Sequence, residues 1–243
     1  MIEVQGKFNV AKIFTDNVEQ EALAQIEELC DQEFTRGSKI RIMPDVHAGI
    51  GCTIGTTMTI TDKVVPNLVG VDSGGGMETI KLKEQTIDLK KLDKVVHNHI
   101  PAGFDIRKKP HSYAERINLN KLYCKNHVDL DRARKSIGTL GGGNHFIEVN
   151  RDEQGSLYLV VHSGSRHLGK QVAEYYQKLA YENLKKKSVN IKKQLAYLEG
   201  ENYHRYLHDM KLVQQYAVYN RQAIVDEILS RMGFAVEDRF TTI

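Results

Sequence analysis

The sequence has little cysteine: Cys30, Cys52 and Cys124 are the only three in 243 residues. So odd and sparse a set excludes a disulfide framework and suits a reducing compartment. No apolar run approaches the roughly 20 residues that a membrane-spanning helix needs, so no membrane partner is expected. The opening residues Met1-Ile2-Glu3-Val4-Gln5 lack the basic stretch and apolar run of a secretory signal, and a cytoplasmic location is the expectation. Charge of one sign is also missing. Lys and Arg number 34 against 31 Asp and Glu, a formal charge of +3. Binding to nucleic acid would have to come from local clustering of basic residues, not from overall charge. There is no internal repeat, no low-complexity tract and no linker-like stretch. What is present is enough for a core: 41% hydrophobic and 27% charged residues exclude wholesale disorder. The expectation is a single mixed α+β domain over residues 1–243.

Periodicity gives a coarse element order. Phe8 to Phe14 alternates as a strand. Asn17 reads as the cap of an amphipathic helix over Val18 to Leu29. From Lys39 to Gly76, Gly, Thr, Val and Ile dominate, and short strands joined by glycine turns are expected. Leu89 to His99 is a helix that stops before Pro101. Ser136 to Glu148 reads as glycine loops and Leu157 to Val161 as an apolar strand. A loop over His162 to Gly169 then leads into a helix over Lys170 to Lys187. Asn190 to Met232 is helical in pattern.

Four segments set metal-competent or phosphate-competent residues among glycines. They are Met43 to Gly51, with Asp45 and His47; Gly70 to Met77, with Asp72; Gly138 to Glu148, with Asn144 and His145; and Val161 to Gly169, with His162 and Arg166. Glycine runs let the backbone approach a ligand closely, and successive N–H groups in such turns form anion-binding concavities. Arg166 stands where a Ser/Gly loop enters a helix, a good place for a phosphate. One carboxylate and two imidazoles, Asp72, His145 and His162, make a partial coordination sphere for a transition metal such as Mn or Zn. Each residue also has an ordinary structural role open to it. A histidine beside a strand is commonly a hydrogen-bonded core or turn residue, and aspartates form turns. No segment fits a strict dinucleotide or P-loop pattern. Residue chemistry alone therefore ends at a metal or phosphate site.

Taken together and in this order, the four segments resemble the RtcB family of RNA-splicing ligases. That family joins RNA 2′,3′-cyclic phosphate or 3′-phosphate ends to 5′-hydroxyl ends, in tRNA splicing or RNA repair. The resemblance implies Mn²⁺, two ions in the complete site, and GTP as the donor of a guanylyl group to a histidine. It implies that Asp72 and His145 hold one manganese and that His162 holds the second. Asn144, His145, Phe146, Ile147 and Glu148 match the guanylate-contacting run, Arg166 a phosphate-holding arginine, and His47 a supporting position.

Two departures stand out. The family motif Asp-x-Gly-Cys-Gly-Met reads Asp72-Ser73-Gly74-Gly75-Gly76-Met77 here, so Gly75 occupies the position of a metal-bridging cysteine. Cys52 or Cys124 would have to substitute. The guanylylated histidine is expected beyond residue 243, so no catalytic nucleophile is named, and this chain alone is expected not to complete the ligase cycle. Two alternatives remain open: a non-catalytic metal- or RNA-binding relative, and a metal-dependent phosphohydrolase. A lysine-nucleophile ligase is disfavoured because no Lys-x-Asp-Gly sequence occurs.

Overall fold

The computed structural model of the chain describes residues 1–242. The first elements are β1 (Ile2–Gln5), β2 (Val10–Ile13), α1 (Gln20–Cys30), β3 (Ile40–His47), β4 (Ile54–Met58), β5 (Lys63–Val64) and α2 (Pro66–Val69). Then come β6 (Gly76–Leu82), α3 (Leu89–His99), α4 (Leu130–Ser136), β7 (Phe146–Arg151) and β8 (Leu157–Ser163). The last are α5 (Arg166–Lys186), β9 (Leu198–Glu199), α6 (Gly200–Met232) and β10 (Val236–Thr242). The class is mixed α+β, as expected. No helix among the described residues is long and apolar enough to cross a membrane.

The chain divides into two compact units. The first comprises Met1–Val71 with Ala173–Leu207. Its four-stranded sheet has the order β1-β2-β3-β4, and β2 and β3 are parallel while the other neighbours are antiparallel. Helix α1 buries Ala22, Ile26, Leu29 and Cys30, a stripe at helical spacing. That stripe packs with Ile13, Ile40 and Ile42 of the sheet.

The second unit comprises Asp72–Val172 with His208–Ile243. Its sheet runs β10-β6-β8-β7 and is antiparallel throughout. Alternation puts Ile80 and Leu82 of β6, and Leu159 and Val161 of β8, on one face. Leu92 and Val95 of α3, with Ile224 and Ile228 of α6, cover that face. Helix α3 has the expected bounds because Asp88 caps it, accepting from the Lys91 N–H at 3.0 Å, and Pro101 follows.

Several elements differ from the sequence reading. The loop expected over 162–169 shrinks to Gly164-Ser165. Pairing of Gly76 with Ser163 and Met77 with His162 extends β8, and α5 starts at Arg166. Asn17 is not a helix cap; Glu19 holds that place without a side-chain bond. The short helix α4 rises just before the glycine loops, capped by Asp129 onto the Arg132 N–H. Residues 190–199 hold only a short 3₁₀ turn, Lys193–Leu195, and the strand β9, and α6 begins at Gly200. The polar segment Val236–Thr242 forms β10 because β6 offers it an open edge.

The β10 pairing also supplies a partner to a buried charge. Glu78 lies on the core face of β6 with a 1% exposed side chain, and Arg239 Nε donates to it at 2.5 Å. Thr241 donates to the same carboxylate, and the other arm of Arg239 donates to Asp226 at 2.7 Å. A buried carboxylate stripped of its partner is costly. Arg239→Met should therefore destabilise the chain by about 3 kcal/mol, and adding Glu78→Gln should restore part of that loss. Urea unfolding of the two variants checks this; no recovery in the double variant would contradict it.

Candidate metal and phosphate site

Antiparallel pairing within the second unit decides which loops meet. The start of β6 and the start of β7 both flank the end of β8: Gly76 pairs with Ser163, and Phe146 with His162. Three loops thus converge at one end of the sheet, residues 72–75, 137–145 and 164–165.

Asp72 lies at the centre. Its Oδ1 accepts from the Ser165 backbone N–H at 3.0 Å and from the Ser165 hydroxyl at 3.4 Å, and its Oδ2 lies 3.2 Å from His145 Nε2. Burial pushes this carboxyl up, but His145, the Ser165 N–H and Arg166 together hold it below its ordinary value. The His145 and His162 rings stand perpendicular with centroids 5.2 Å apart. The Phe146 ring lies 5.4 Å from that of His162.

The ring nitrogens face instructive partners. His162 Nδ1 lies 2.9 Å from the Gly76 carbonyl. A carbonyl only accepts, so Nδ1 carries the proton and Nε2 keeps its lone pair for a ligand. His145 Nδ1 has two neighbours at 2.9 Å, the Leu140 carbonyl and Arg166 Nη1. The carbonyl needs a donor and the guanidinium needs an acceptor, so one neutral tautomer cannot satisfy both. With the proton on Nδ1, the Nε2 lone pair faces Asp72, an arrangement suited to a cation. With the proton on Nε2, His145 donates to Asp72.

Arg166 opens α5 with a φ of 58°, strained for a residue other than glycine. Its guanidinium lies over Gly141, where an added Cβ would overlap Nη2, and Gly141 itself has a φ of 80°. Only glycine serves there. Gly164 is required by close approach, since a Cβ would overlap Asp72 Oδ1. Gly75 has no such backbone need. A Cβ at 75 would run into Asp72 Oδ2, so the missing side chain is what leaves room for this carboxylate.

The structure thus brings together Asp72, His145, His162 and Arg166. His47 belongs to the first unit, exposed at the end of β3, with Nδ1 2.8 Å from the Asp45 carbonyl. Within the run 144–148, Asn144 is exposed, Glu148 accepts from Asn150 at 2.9 Å, and Ile147 packs on the core. No group of three or more His, Cys, Asp and Glu side chains able to hold a metal ion occurs among the described residues. The donors present are the Asp72–His145 pair with the His162 imidazole beside it; their types fit a divalent transition metal. Neither Cys52 nor Cys124 is poised as a thiolate. Burial pushes the Cys52 thiol up to about 11, and burial, aided by Asp209, pushes Cys124 higher still.

Sequence reasoning missed the residues that hold the loops together. Asn220 and Arg221 of α6 are both fully buried. Asn220 Oδ1 accepts from the Gly138 N–H at 2.8 Å and the Thr139 N–H at 3.1 Å. Its Nδ2 donates to Ser163 Oγ at 3.0 Å and to the Gly164 carbonyl at 3.1 Å. Arg221 Nη1 donates to the Gly74 carbonyl at 2.6 Å and the Ser163 carbonyl at 3.0 Å. A signal did exist: this pair interrupts the apolar stretch Tyr216, Ala217, Val218 and Ala223, Ile224, Val225, where a solvated arginine would be out of place.

Comparison with known proteins gives the class. The family model described as tRNA-splicing ligase RtcB matches residues 25–128 and 115–241. The chain belongs to that family. It is 29% identical over 216 residues to the RNA-splicing ligase RtcB of Escherichia coli strain K12, covering 79% of this chain and 53% of the relative. It is 25% identical over 280 residues to the tRNA-splicing ligase RtcB of Methanococcus maripaludis, covering 92% of this chain and 58% of the relative. It also matches an RNA-splicing ligase RtcB homolog of Entamoeba dispar at 25% over 237 residues, 75% of this chain and 45% of the relative. The chain spans about half the length of the curated relatives it matches.

Asn220→Ala leaves the Gly138 and Thr139 N–H groups without an acceptor in a dry interior. Unsatisfied buried groups cost about 1–3 kcal/mol each, so a loss of about 3 kcal/mol in urea unfolding is the expected outcome. A loss under about 1 kcal/mol would mean that the loops are held by other contacts.

Proposed function

We propose that this chain carries the metal- and phosphate-binding part of an RtcB-type RNA ligase, joining 2′,3′-cyclic phosphate or 3′-phosphate ends to 5′-hydroxyl ends with Mn²⁺ and GTP. The observation that carries the reading is the contact of Asp72 with His145 beside His162 and Arg166, in loops that lie within the family match.

The roles follow from chemistry. Asp72 and His145 Nε2 would hold one cation, and the free Nε2 of His162 a second. A divalent metal there would neutralise phosphate charge and align the attacking and leaving oxygens. Arg166 donates from a position next to His145, suited to a phosphate oxygen. Phe146 pairs with His162, and it would contact a guanylate together with Asn144 just before β7 and Glu148 within it. The Ser165 N–H fixes Asp72 by its other oxygen, so the carboxylate does not have to be ordered on binding.

Gly75 weakens the reading in one respect. A thiolate at this position would add both a soft donor and a negative charge, and without it cation affinity is lower. Two variants and an assay test the proposal. Gly164→Ala should drive the Asp72 carboxylate from its place and weaken Mn²⁺ binding at least tenfold, with an unchanged circular dichroism spectrum. Gly75→Cys should displace the same carboxylate in the metal-free protein, lowering Tm, yet bind Mn²⁺ more tightly than the natural chain. Electron paramagnetic resonance of free Mn²⁺ reads both. Equal binding by the natural chain, Gly164→Ala and His162→Ala would overturn the metal reading. A joining assay with 3′-phosphate and 5′-hydroxyl RNA, Mn²⁺ and GTP tests the reaction. Joining by the chain would show the whole reaction, and Mn²⁺-dependent phosphate release without GTP would favour a phosphohydrolase instead.

A further inference from the structure

Phe104 is 93% exposed, more than any other large apolar side chain among the described residues of the second unit. Exposure of this kind is usual at a loose loop tip, but this loop is tied down. The Gly103 N–H donates to the Gly141 carbonyl at 2.8 Å, and the Leu140 N–H donates to the Pro101 carbonyl at 2.8 Å. Ala102 and Gly141 form a parallel bridge. Arg132 Nη2 donates to the carbonyl of Phe104 itself at 3.0 Å. Three residues further on, the Arg107 N–H donates to the Lys135 carbonyl at 3.0 Å, and its guanidinium holds the Gly138 carbonyl at 2.7 Å. The ring is therefore held out in water by a fixed backbone.

Its neighbours along the chain are mainly basic. Gly141, which anchors Gly103, is the residue over which the Arg166 guanidinium lies. The loops 101–110 and 137–146 contain one carboxylate, Asp105, against Arg107, Lys108 and Lys109. Lys108 and Lys109 are exposed. A flat apolar ring, a cationic surround and a phosphate-competent arginine one peptide contact away make up the pattern by which proteins hold single-stranded nucleic acid. The backbone is held by charge, and a base stacks on an aromatic face.

We propose that Phe104 is a stacking platform for a nucleobase of single-stranded RNA, the base of a nucleotide adjoining the phosphate that Arg166 holds. The inference rests on the RNA-ligase reading and deepens it, by naming where the substrate strand lies. The platform recognises any base, because every base has a π-face. It has no role in holding the fold, since its side chain is in water.

The test uses the full chain and an RNA octamer with a 3′-phosphate and 2-aminopurine at one of the last two nucleotides. Stacking quenches 2-aminopurine, and titration gives the affinity. Natural chain should bind and quench. Phe104→Ala should bind about tenfold more weakly with the quench lost, at an unchanged Tm. Phe104→Tyr should retain both, and Phe104→Leu should behave like alanine. Binding and quenching by Phe104→Ala within twofold of the natural chain would overturn the platform and leave the ligase reading intact, as would full rescue by leucine. An octamer that the natural chain does not bind at all would overturn the platform together with the RNA reading.

Discussion

The site depends on one buried polar contact, the pair Asn220 and Arg221 on a single turn of α6. Three loops from three places in the sequence have to meet at one end of a sheet, and each brings unpaired backbone groups. Asn220 has both an acceptor and two donors on one short side chain. It takes two N–H groups of the 137–145 loop and returns hydrogen bonds to Ser163 and Gly164. Arg221 reaches the remaining loop through the Gly74 carbonyl while also holding Ser163. No apolar residue could do this, and the two residues together bind all three loops that the site uses. The arginine is also charged in an interior position. Burial pulls its pKa down, and Glu78 and Asp72 oppose that shift. Its Nε and Nη2 have no hydrogen-bond partner among the described residues, so part of its binding capacity is given up to keep the loops in register.

The glycines then read as accommodations to side chains rather than as flexible hinges. Gly164 exists for Asp72, and Gly141 for Arg166. Where the loop must turn tightly against a guanidinium, only a residue without Cβ and with access to positive φ will serve. Arg166 accepts a strained backbone in the same contact. Its own position, first in α5 and straight after a two-residue loop, is what turns it back over the glycine loop toward His145.

The sequence made much of this legible, but unevenly. Helix α3 was readable because its apolar spacing, its Asp88 cap and Pro101 all agree. The four glycine-rich segments were readable because polar residues set among glycines are seldom there to pack a core, and three of the four do converge. His47 was read from the same texture, and it lies in the first unit at the end of β3. Strands β1 and β10 were not legible: Val236-Glu237-Asp238-Arg239-Phe240-Thr241-Thr242 is polar, and it is a strand only through pairing with β6 and the Glu78 ion pair. Arg221 was missed for the opposite reason. An arginine in a long helix reads as solvated, and only its position in an otherwise apolar stretch marks it as buried.

Hydrogen bonding through His145 ties the Asp72 cluster together. Asp72 is a single anion and Arg166 a single cation, with His145 between them and in contact with both. In the tautomer that donates from Nε2, His145 relays one to the other, and the three groups satisfy each other. A cation entering this cluster must shift the His145 proton to Nδ1. That move leaves Arg166 facing an N–H and transfers Nδ1 to the Leu140 carbonyl, which already accepts from Ser163 at 2.9 Å. A thiolate at position 75 would add a second anion beside Asp72, on which two arginines act, Arg166 and Arg221. Gly75 leaves room for the Asp72 carboxylate, which lies where a Cβ at this position would stand.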